Sequence, residues 1–520
     1  MALTRAAPEH GAVLGGTARS GALNLVAAGF SGTAGLAVTM LIARGLGHTQ
    51  AGVFFAATSA FLLAQMVAKL GTDTGLVYWL ARLRALRRFD LLHRCLRSML
   101  LPVLVASVLM AALLVVAAPR LATTGWFGAD AAHAPQFARE LRLLALFLPL
   151  AALSDALLSA TRGYRTMRPT ALTEKVLRPS LQLAGLLVVL LAGSVTADVA
   201  AWVAPYAVSV LVAGWFLSTV DRKARSRPVA EQVSDRRLPA RLSRAVWRFT
   251  APRALSSIAQ VGLQRLDVLL VAGMLGFRAA AVYTVATRFI VVGQLANQAV
   301  GAAVQPRLAE LLARGDTAAV RTLYQTSTGW VVALTWPLYL LVAVFAPTYL
   351  RAFGAGYRQG SAAVVVALLC AAMLVAGACG MVDMVLTMGG RTSWNLANVA
   401  LAFGVNLAVD LVAIPRLGIL GAALGWALAL LAKNLLPLGQ ISLVLRLHPL
   451  GPATLRAAAL AAGCVGVPAV ASRLLLGAGP LGLVVALAVA LPAYLAGCLA
   501  CRHRLGLSPT ALLGRLSRAH

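Results

Sequence analysis

The sequence predicts an all-α polytopic membrane protein of about fourteen transmembrane helices, with two six-helix lobes in a parallel pseudo-repeat and two further C-terminal helices. Of its 520 residues, 60% are hydrophobic and 12% are charged, whereas charged residues make up roughly a quarter of soluble domains. Apolar runs of about 18 to 25 residues recur along the chain, and about 20 such residues cross a hydrocarbon core as a helix. A phrase that begins at Leu41 returns near Leu270, which indicates an internal duplication.

The apolar runs define the elements in order, separated by glycine, proline and arginine residues. A tail over 1–20 precedes a first lobe over 21–220, with spans near 21–43, 51–80, 98–118, 141–161, 177–195 and 199–220. A basic linker over 221–248 leads to a second lobe over 249–440, with spans near 252–275, 279–304, 323–347, 360–388, 394–414 and 418–440. Two more spans within 453–500, near 453–476 and 480–500, precede a tail over 501–520.

The basic residues lie between the spans. The formal net charge of +30 could indicate nucleic acid, but the arginines concentrate in alternate loops, as the positive-inside rule requires. We therefore expect no nucleic-acid partner, attraction to membrane lipids, and both termini on the cytoplasmic side of the cell membrane. Residues 1–20 are polar and lack an apolar core, so no cleaved signal peptide is expected. The six cysteines lie mostly in apolar runs, which favours packing over a disulfide or metal role.

The duplication is visible at an offset of 229 residues. Between 41–65 and 270–294, nine of 25 positions are identical, whereas about two would match by chance in a chain of this composition. Each half has an even number of spans, so both halves enter the membrane in the same direction and form a parallel repeat. Gly47 and Gly276 occupy equivalent positions and are predicted turn residues.

Several segments together resemble a known family. They are "IARGLGHTQAGVF", "LGTDTGLVYWLAR", "RGYRTMRPTALTEKVLRP", "RLDVLLVAGMLGFRAAAVYTVATR", "AFGAGYRQG" and "NLAVDLVAIPRLGILGAALGWA". Over roughly residues 20–440 the chain resembles the polysaccharide and lipid-linked oligosaccharide flippases of the multidrug/oligosaccharidyl-lipid/polysaccharide exporter superfamily. The resemblance implies alternating access, in which a lipid-linked glycan carried on a polyprenyl diphosphate passes through a hydrated cavity between the lobes. It also implies other polysaccharide assembly proteins as partners.

Polar residues on the seventh and eighth spans predict the substrate-binding cavity. They recur at helical spacing, which places them on one face of each helix. The cavity residues on these spans are Gln260, Gln264 and Asp267, then Tyr283 and Gln294.

Two arginines sharpen this prediction. Arg265 precedes the turn residue Phe277 by 12 residues and Arg288 follows it by 11, so a rise of about 1.5 Å per residue puts both near mid-bilayer. Guanidinium groups match phosphate geometry and stay charged when poorly hydrated. The pattern predicts a diphosphate site; the open alternative is an Arg–Asp pair that holds two helices together. The first-lobe equivalents of the two arginines are Leu36 and Ser59.

Four more charged residues are candidates for a gate or for ion pairs, because charges inside spans are costly. Lys69 and Asp73 are four residues apart, as in an i,i+4 helical pair, while Asp383 and Lys433 lie at similar depth on different spans. On the eleventh span, Asn398 and Asn406 either line the cavity or bond neighbouring helices; the same residue types in the same pattern permit both.

The alternatives are a cation-coupled multidrug exporter of the same superfamily, a membrane glycosyltransferase or polymerase, and a non-transporting scaffold. The first span lacks the carboxylate expected of multidrug exporters, and the first external loop, "GLGHTQAG", is short and non-acidic, unlike that expected of a glycosyltransferase. No nucleotide-binding or zinc-protease motif occurs. We therefore expect no enzyme activity, no cofactor and no metal site, and a driving force supplied by an ion gradient, the membrane potential or the substrate gradient.

Overall fold

The computed structural model describes residues 7–86, 88–123, 128–164, 166–193, 197–225, 242–358 and 360–503. All regular elements in these ranges are helices, so the predicted all-α fold is confirmed. Two predicted segments lie largely outside the described residues: 226–241 of the basic linker and 504–520 of the C-terminal tail. The described chain divides into two compact units, a first over Met1–Phe277 and a second over Arg278–His520.

The described residues of the first unit form ten α-helices. They are α1 (Ala7–Gly45), α2 (His48–Ala68), α3 (Thr72–Ala85), α4 (Leu92–Thr123), α5 (Ala134–Gly163), α6 (Arg168–Thr170), α7 (Arg178–Leu191), α8 (Asp198–Val203), α9 (Pro205–Arg225) and α10 (Leu242–Leu275). Short 3-10 helices cover Phe89–Leu91 and Gly128–His133, and a π-helix covers Ala171–Leu177. Helix α10 packs against α2 and α3. The unit boundary therefore groups the seventh span with the first six, while the predicted lobe bounds remain a prediction.

The second unit begins one residue inside its first helix. Its helices are α11 (Phe277–Ala286), α12 (Phe289–Arg314), α13 (Thr317–Val344), α14 (Ala346–Arg351), α15 (Ala362–Cys379), α16 (Val382–Met388), α17 (Thr392–Leu417), α18 (Ile419–Val444), α19 (Pro452–Ala461), α20 (Val467–Leu476) and α21 (Pro480–Ala500). A 3-10 helix covers Ala355–Arg358 and a π-helix covers Ala462–Gly466. The C-terminal helices α19 and α20 pack against α13, and α21 packs against α20.

Thirteen segments of the described chain are long and apolar enough to cross a membrane, so the chain is a multi-pass membrane protein. The fifth of the fourteen predicted spans is the exception. There the chain is helical from Arg168 to Leu191 through α6, the π-helix and α7. Its amino-terminal half carries Glu174, Lys175 and Arg178, and these charges lower the hydropathy that identifies a span.

Both predicted turn glycines are confirmed. Gly47 has φ 77° and precedes α2, and Gly276 has φ 91° and precedes α11. Positive φ values are strained for residues with a Cβ, so glycine at both places is explained by the backbone. The Asp130 carboxylate accepts the Phe277 backbone N–H at 3.1 Å, and this bond satisfies one of the free amides at the start of α11.

Several spans that the hydropathy shows as continuous are broken. Leu70 and Gly71 separate α2 from α3, with φ values of 51° and 72°. Thr287 and Arg288 separate α11 from α12, and Gly380 and Met381 separate α15 from α16. In membrane transporters, discontinuous helices often border the substrate path. Residues beside these breaks are therefore candidates for the substrate site.

Candidate functional site: charged residues within the spans

A cluster around Asp155 is the best-defined charged site in the first unit. The Asp155 carboxylate accepts from Lys69 Nζ at 3.2 Å, from Gln65 Nε2 at 3.1 Å and from Arg178 Nη1 at 3.4 Å. The side chains of Lys69 and Arg178 are each 12% exposed and that of Asp155 is 17% exposed. Two cations therefore share one carboxylate with little access to solvent. We call Lys69, Asp155 and Arg178 the Asp155 cluster.

Breaks in helical geometry position both cations of the cluster. Lys69 follows the last residue of α2, directly before the break at Leu70. Arg178 opens α7 immediately after the π-helix and is followed by Pro179. One π-turn inside a helix changes the direction in which the following side chains point, and such turns are frequent at functional sites.

The Tyr206 side chain lies beside the Asp155 cluster and near α10. The Arg178 guanidinium lies over the Tyr206 ring, 4.7 Å from its centroid, and Tyr206 packs edge to face on Phe61 at 5.7 Å. Arg265 of α10 also lies near Tyr206. Arg265, a residue of the predicted site, therefore lies near the Asp155 cluster within the first unit.

The residues of the polar face predicted on the seventh span differ in burial. Gln260 and Gln264 are exposed, Arg265 is partly buried, and Asp267 is buried with 2% of its surface exposed. Asp267 is therefore buried, whereas the two glutamines are open to contact. Arg288 belongs to the second unit, so the three-residue diphosphate site remains a prediction.

Arg288 lies at the break between α11 and α12. The Tyr349 hydroxyl donates to the Val285 carbonyl at 2.8 Å and accepts from the Phe289 N–H at 3.2 Å. A side chain that bonds the backbone groups freed by a break allows a discontinuous helix at membrane depth. Burial raises the pKa of Tyr349, so its hydroxyl stays a neutral donor. Partly buried Arg288 is thus placed at a break that Tyr349 stabilises.

The remaining predicted residues of the eighth span differ in burial. Tyr283 is 2% exposed, which is typical of a core residue, and Gln294 is partly buried. Tyr283 is therefore a poor candidate for direct contact with a bulky substrate. Direct contact between Gln294 and the substrate stays a prediction.

The asparagines of α17 bond to other polar side chains. Asn398 and Gln440 exchange two hydrogen bonds, at 2.8 and 3.1 Å, between α17 and α18. Asn406 donates to Asp410 one turn further along α17, at 3.1 Å. Asn398 is 4% exposed and Asn406 is fully buried. Of the two roles left open by the sequence, hydrogen bonding within the helix bundle is the one these contacts favour.

The predicted pair of Asp383 and Lys433 is confirmed. Lys433 Nζ lies 3.5 Å from Asp383 Oδ2, and the two side chains are 25% and 36% exposed respectively. The pair links α16 to α18, which pack together. An ion pair this exposed adds little to stability. Its position beside the break before α16 is therefore more informative than its contribution to stability.

Lys69 and Asp73, predicted as an i,i+4 pair, form no direct ion pair, and Asp73 acts on Lys69 more weakly than Asp155 does. The break at Leu70 and Gly71 ends α2 before Asp73, so the two residues do not share a continuous helix. Lys69 instead donates to Asp155, while the Asp73 carboxylate accepts the Thr74 N–H at 3.2 Å. Sequence reasoning also missed Arg178, which lies at the amino-terminal end of the fifth predicted span, near 177–195. The signal available was that Lys69 and Asp155 are opposite charges near the same predicted face of the membrane.

Comparison with known proteins places this arrangement in context. A family model described as "Polysaccharide biosynthesis protein" matches residues 18–312, and a second, described as "MatE", matches residues 252–412. No curated protein matches the chain in a sequence search.

Several solved structures share the fold. A lipid II flippase, MurJ, in an inward closed conformation has a TM-score of 0.69 at 14% identity, covering 93% of this chain and 99% of its own. An inward-facing multidrug resistance transporter of the MATE family has a TM-score of 0.63 at 14% identity, covering 82% and 98%. A transporter of the same superfamily from Pyrococcus furiosus, reported with a binding pocket of reversed polarity, gives 0.55 at 15% identity, covering 82% and 96%.

Proposed function

The chain belongs to the polysaccharide biosynthesis protein family, whose model covers more than half of its length, and on this premise we propose that it transports a lipid-linked glycan. In this proposal the chain flips or exports a lipid-linked oligosaccharide or polysaccharide precursor across the cell membrane by alternating access. The observation that carries the proposal is the family match over 18–312. The multi-pass helical architecture supports it, since an amphiphilic substrate must cross the bilayer.

The extent of structural similarity favours a flippase over a multidrug exporter. The lipid II flippase covers 93% of this chain, whereas the MATE transporters cover about 82%. The difference is close in size to the pair of C-terminal spans, Pro452–Leu476 and Pro480–Ala500. A chain with these two spans is therefore better matched by the flippase architecture.

The Asp155 cluster supports an anionic substrate. A lysine ammonium has three N–H donors and an arginine guanidinium has five. Lys69 and Arg178 each direct one bond at Asp155, which leaves further donors for phosphate oxygens. With Arg265 close to the same Tyr206, the first unit offers three cations to a diphosphate, and charge-assisted bonds to phosphate are among the strongest available.

Depletion of the protein in its own cells tests the proposed transport. We expect a polyprenyl diphosphate-linked glycan to accumulate on the cytoplasmic leaflet, measured by mass spectrometry and by access of a membrane-impermeant lectin or oxidant. An unchanged lipid-linked pool, on both leaflets, would contradict the proposal. The glycan that accumulates identifies the substrate, and its other assembly proteins become the proposed partners.

Single-residue variants test the anion site. Arg265→Ala, Arg288→Ala and Arg178→Ala should each abolish export while the protein still inserts into the membrane, because phosphate contacts are lost. Arg44→Ala is the matched control, since Arg44 is exposed at the carboxyl end of α1. Export at the wild-type rate by all three variants would remove the anion site from the proposal. Reporter fusions at both ends test the proposed cytoplasmic location of the termini.

A cation-coupled multidrug exporter is the second candidate, favoured by the MatE match over 252–412. It predicts that cells without the protein become sensitive to lipophilic cations, with no change in lipid-linked glycans. The two assays can be made on the same depleted cells, so the outcomes separate the candidates directly.

A further inference from the structure

Two buried carboxyl groups lie in the first unit, away from the Asp155 cluster. Glu140 is near the start of α5 and is 8% exposed, and Asp198 is the first residue of α8 and is 2% exposed. Helices α5 and α8 pack together, and the two carboxyl groups interact electrostatically. Glu140 precedes Asp155 by 15 residues on α5, which corresponds to about 22 Å along the helix. The proposed phosphate site does not use them.

The hydrogen bonds of this pair are incomplete. Gln136 Nε2 donates to Glu140 Oε1 at 2.9 Å, while Glu140 Oε2 and Asp198 Oδ1 are buried and accept no hydrogen bond. A buried carboxylate oxygen without a partner loses its hydration with no compensation. Two adjacent buried carboxylates also repel each other, so that one of them favours its neutral form. Both effects are relieved when one carboxyl group carries a proton.

We propose that Glu140 and Asp198 form a proton-binding carboxyl pair in which Glu140 holds the proton and Asp198 remains ionised. The position of Asp198 supports this assignment, because a negative charge in the first turn of a helix is stabilised by the free backbone N–H groups. Glu140 lies deeper in its helix and has no such donors. Loss of its proton places two negative charges between α5 and α8, so the packing of α8 depends on pH.

None of the other ionisable groups in the described part of this end donates a hydrogen bond to Glu140 Oε2 or Asp198 Oδ1. Asp130 and His133 of the preceding 3-10 helix pair with each other at 2.8 Å, and Arg139 on α5 acts on Glu140 more weakly than burial and Asp198 do. The remaining groups from packed helices are His48 at the start of α2 and Arg120 near the end of α4.

Chemical modification tests where the proton resides. The purified full-length protein in detergent is treated with dicyclohexylcarbodiimide, which modifies protonated carboxyl groups in apolar surroundings, between about pH 5 and 9, a range above the ordinary pKa of glutamate. We expect the Glu140 peptide to be labelled at neutral pH and to lose labelling at alkaline pH. In Asp198→Asn the midpoint should fall by about one pH unit, a tenfold loss of proton affinity. Absence of label on Glu140 at every pH would overturn the proposal, as would a midpoint that Asp198→Asn leaves unchanged.

A second measurement does not depend on the reagent. Because the folded protein prefers neutral Glu140, the stability this group contributes is present at low pH and is lost as pH rises until the folded protein releases the proton. Wild type should therefore lose thermal stability over this range relative to Glu140→Gln, which cannot ionise. Glu310→Gln is the control, because Glu310 is exposed and bonded to Arg307 and Arg314; it should keep the wild-type pH profile. Identical profiles for wild type and Glu140→Gln would contradict the proposal, and neither measurement depends on the transported substrate.

Discussion

Replacement of Asp155 by asparagine removes the carboxylate that Lys69 and Arg178 both bond, and leaves Glu174, which acts on both cations more weakly. Both cations then face each other with side chains that are only 12% exposed. Breaking a buried ion pair by removing one partner costs about 3–5 kcal/mol, because the remaining charge is uncompensated. The cluster keeps some contact with solvent, and asparagine can still accept from Gln65, so we take the lower end, about 3 kcal/mol.

Thermal unfolding in detergent, followed by tryptophan fluorescence, measures this loss. A change of 1 kcal/mol shifts the Tm of a 150–250-residue domain by about 2–4 °C, and the first unit is slightly larger than that. The expected fall is therefore about 6–12 °C in the transition of the first unit. Asp383→Asn is the matched control: it also removes one carboxylate from an ion pair, but with 36% exposure and one cation. It should cost no more than about 1 kcal/mol.

A triple variant separates the charge effect from the loss of shape. Asp155→Leu with Lys69→Met and Arg178→Met removes the whole cluster, and apolar replacement of a buried ionic group is often neutral or stabilising. We expect a Tm near that of wild type together with loss of glycan export. If Asp155→Asn were as stable as Asp383→Asn, or if the triple variant were as unstable as the single one, the electrostatic reasoning would be refuted. A stable triple variant that still exports glycan would make the cluster purely structural.

Three other substitutions give independent tests. Gly425→Ala should destabilise the second unit by about 1–3 kcal/mol, because its Cβ would overlap the Asp410 carboxylate, whereas Gly404→Ala, where no atom lies within 4 Å, should not; thermal unfolding compares them. Tyr349→Phe leaves the Phe289 N–H at the α11–α12 break without its acceptor, while the Val285 carbonyl keeps the Arg288 N–H as a donor; the change should cost about 1–3 kcal/mol, seen as faster amide exchange confined to that break. Tyr206→Phe should keep the stability and export of wild type, while Tyr206→Leu, which loses the ring beneath Arg178, should lose about 1–2 kcal/mol of stability. If both variants lost the same stability, the hydroxyl of Tyr206 and not its ring would be the stabilising group.

Hydropathy was sufficient to predict most of the fold and could not predict the breaks. An apolar residue has the same hydropathy whether its backbone is helical or has a positive φ. Leu70, with φ 51°, therefore looks like part of a continuous span in the sequence. The fifth span shows the opposite case. Its π-helix carries Glu174 and Lys175 and leads into Arg178, and the carboxylate that pairs with Arg178 is Asp155 of another helix.

The site was harder to predict because its contacts join distant parts of the chain. Lys69 and Asp155 are 86 residues apart, and local spacing favoured Asp73 only on the assumption of an unbroken helix. Asp383 and Lys433 were predicted correctly because depth in the membrane can be counted from the span ends. Depth alone does not give rotation about the helix axis, so Arg178 could not be assigned to Asp155 in the same way.

The position of α10 changes how the duplication relates to function. In the sequence, the charges that distinguish the two copies fall on the second, since Leu36 is the first-lobe equivalent of Arg265. In the structure, α10 packs against α2 and α3, and Arg265 lies near Tyr206 and Arg178. A charge that arose in the second copy thus joins cations that belong to the first unit. In the proposed function, a diphosphate bound by these side chains would be held within the first unit.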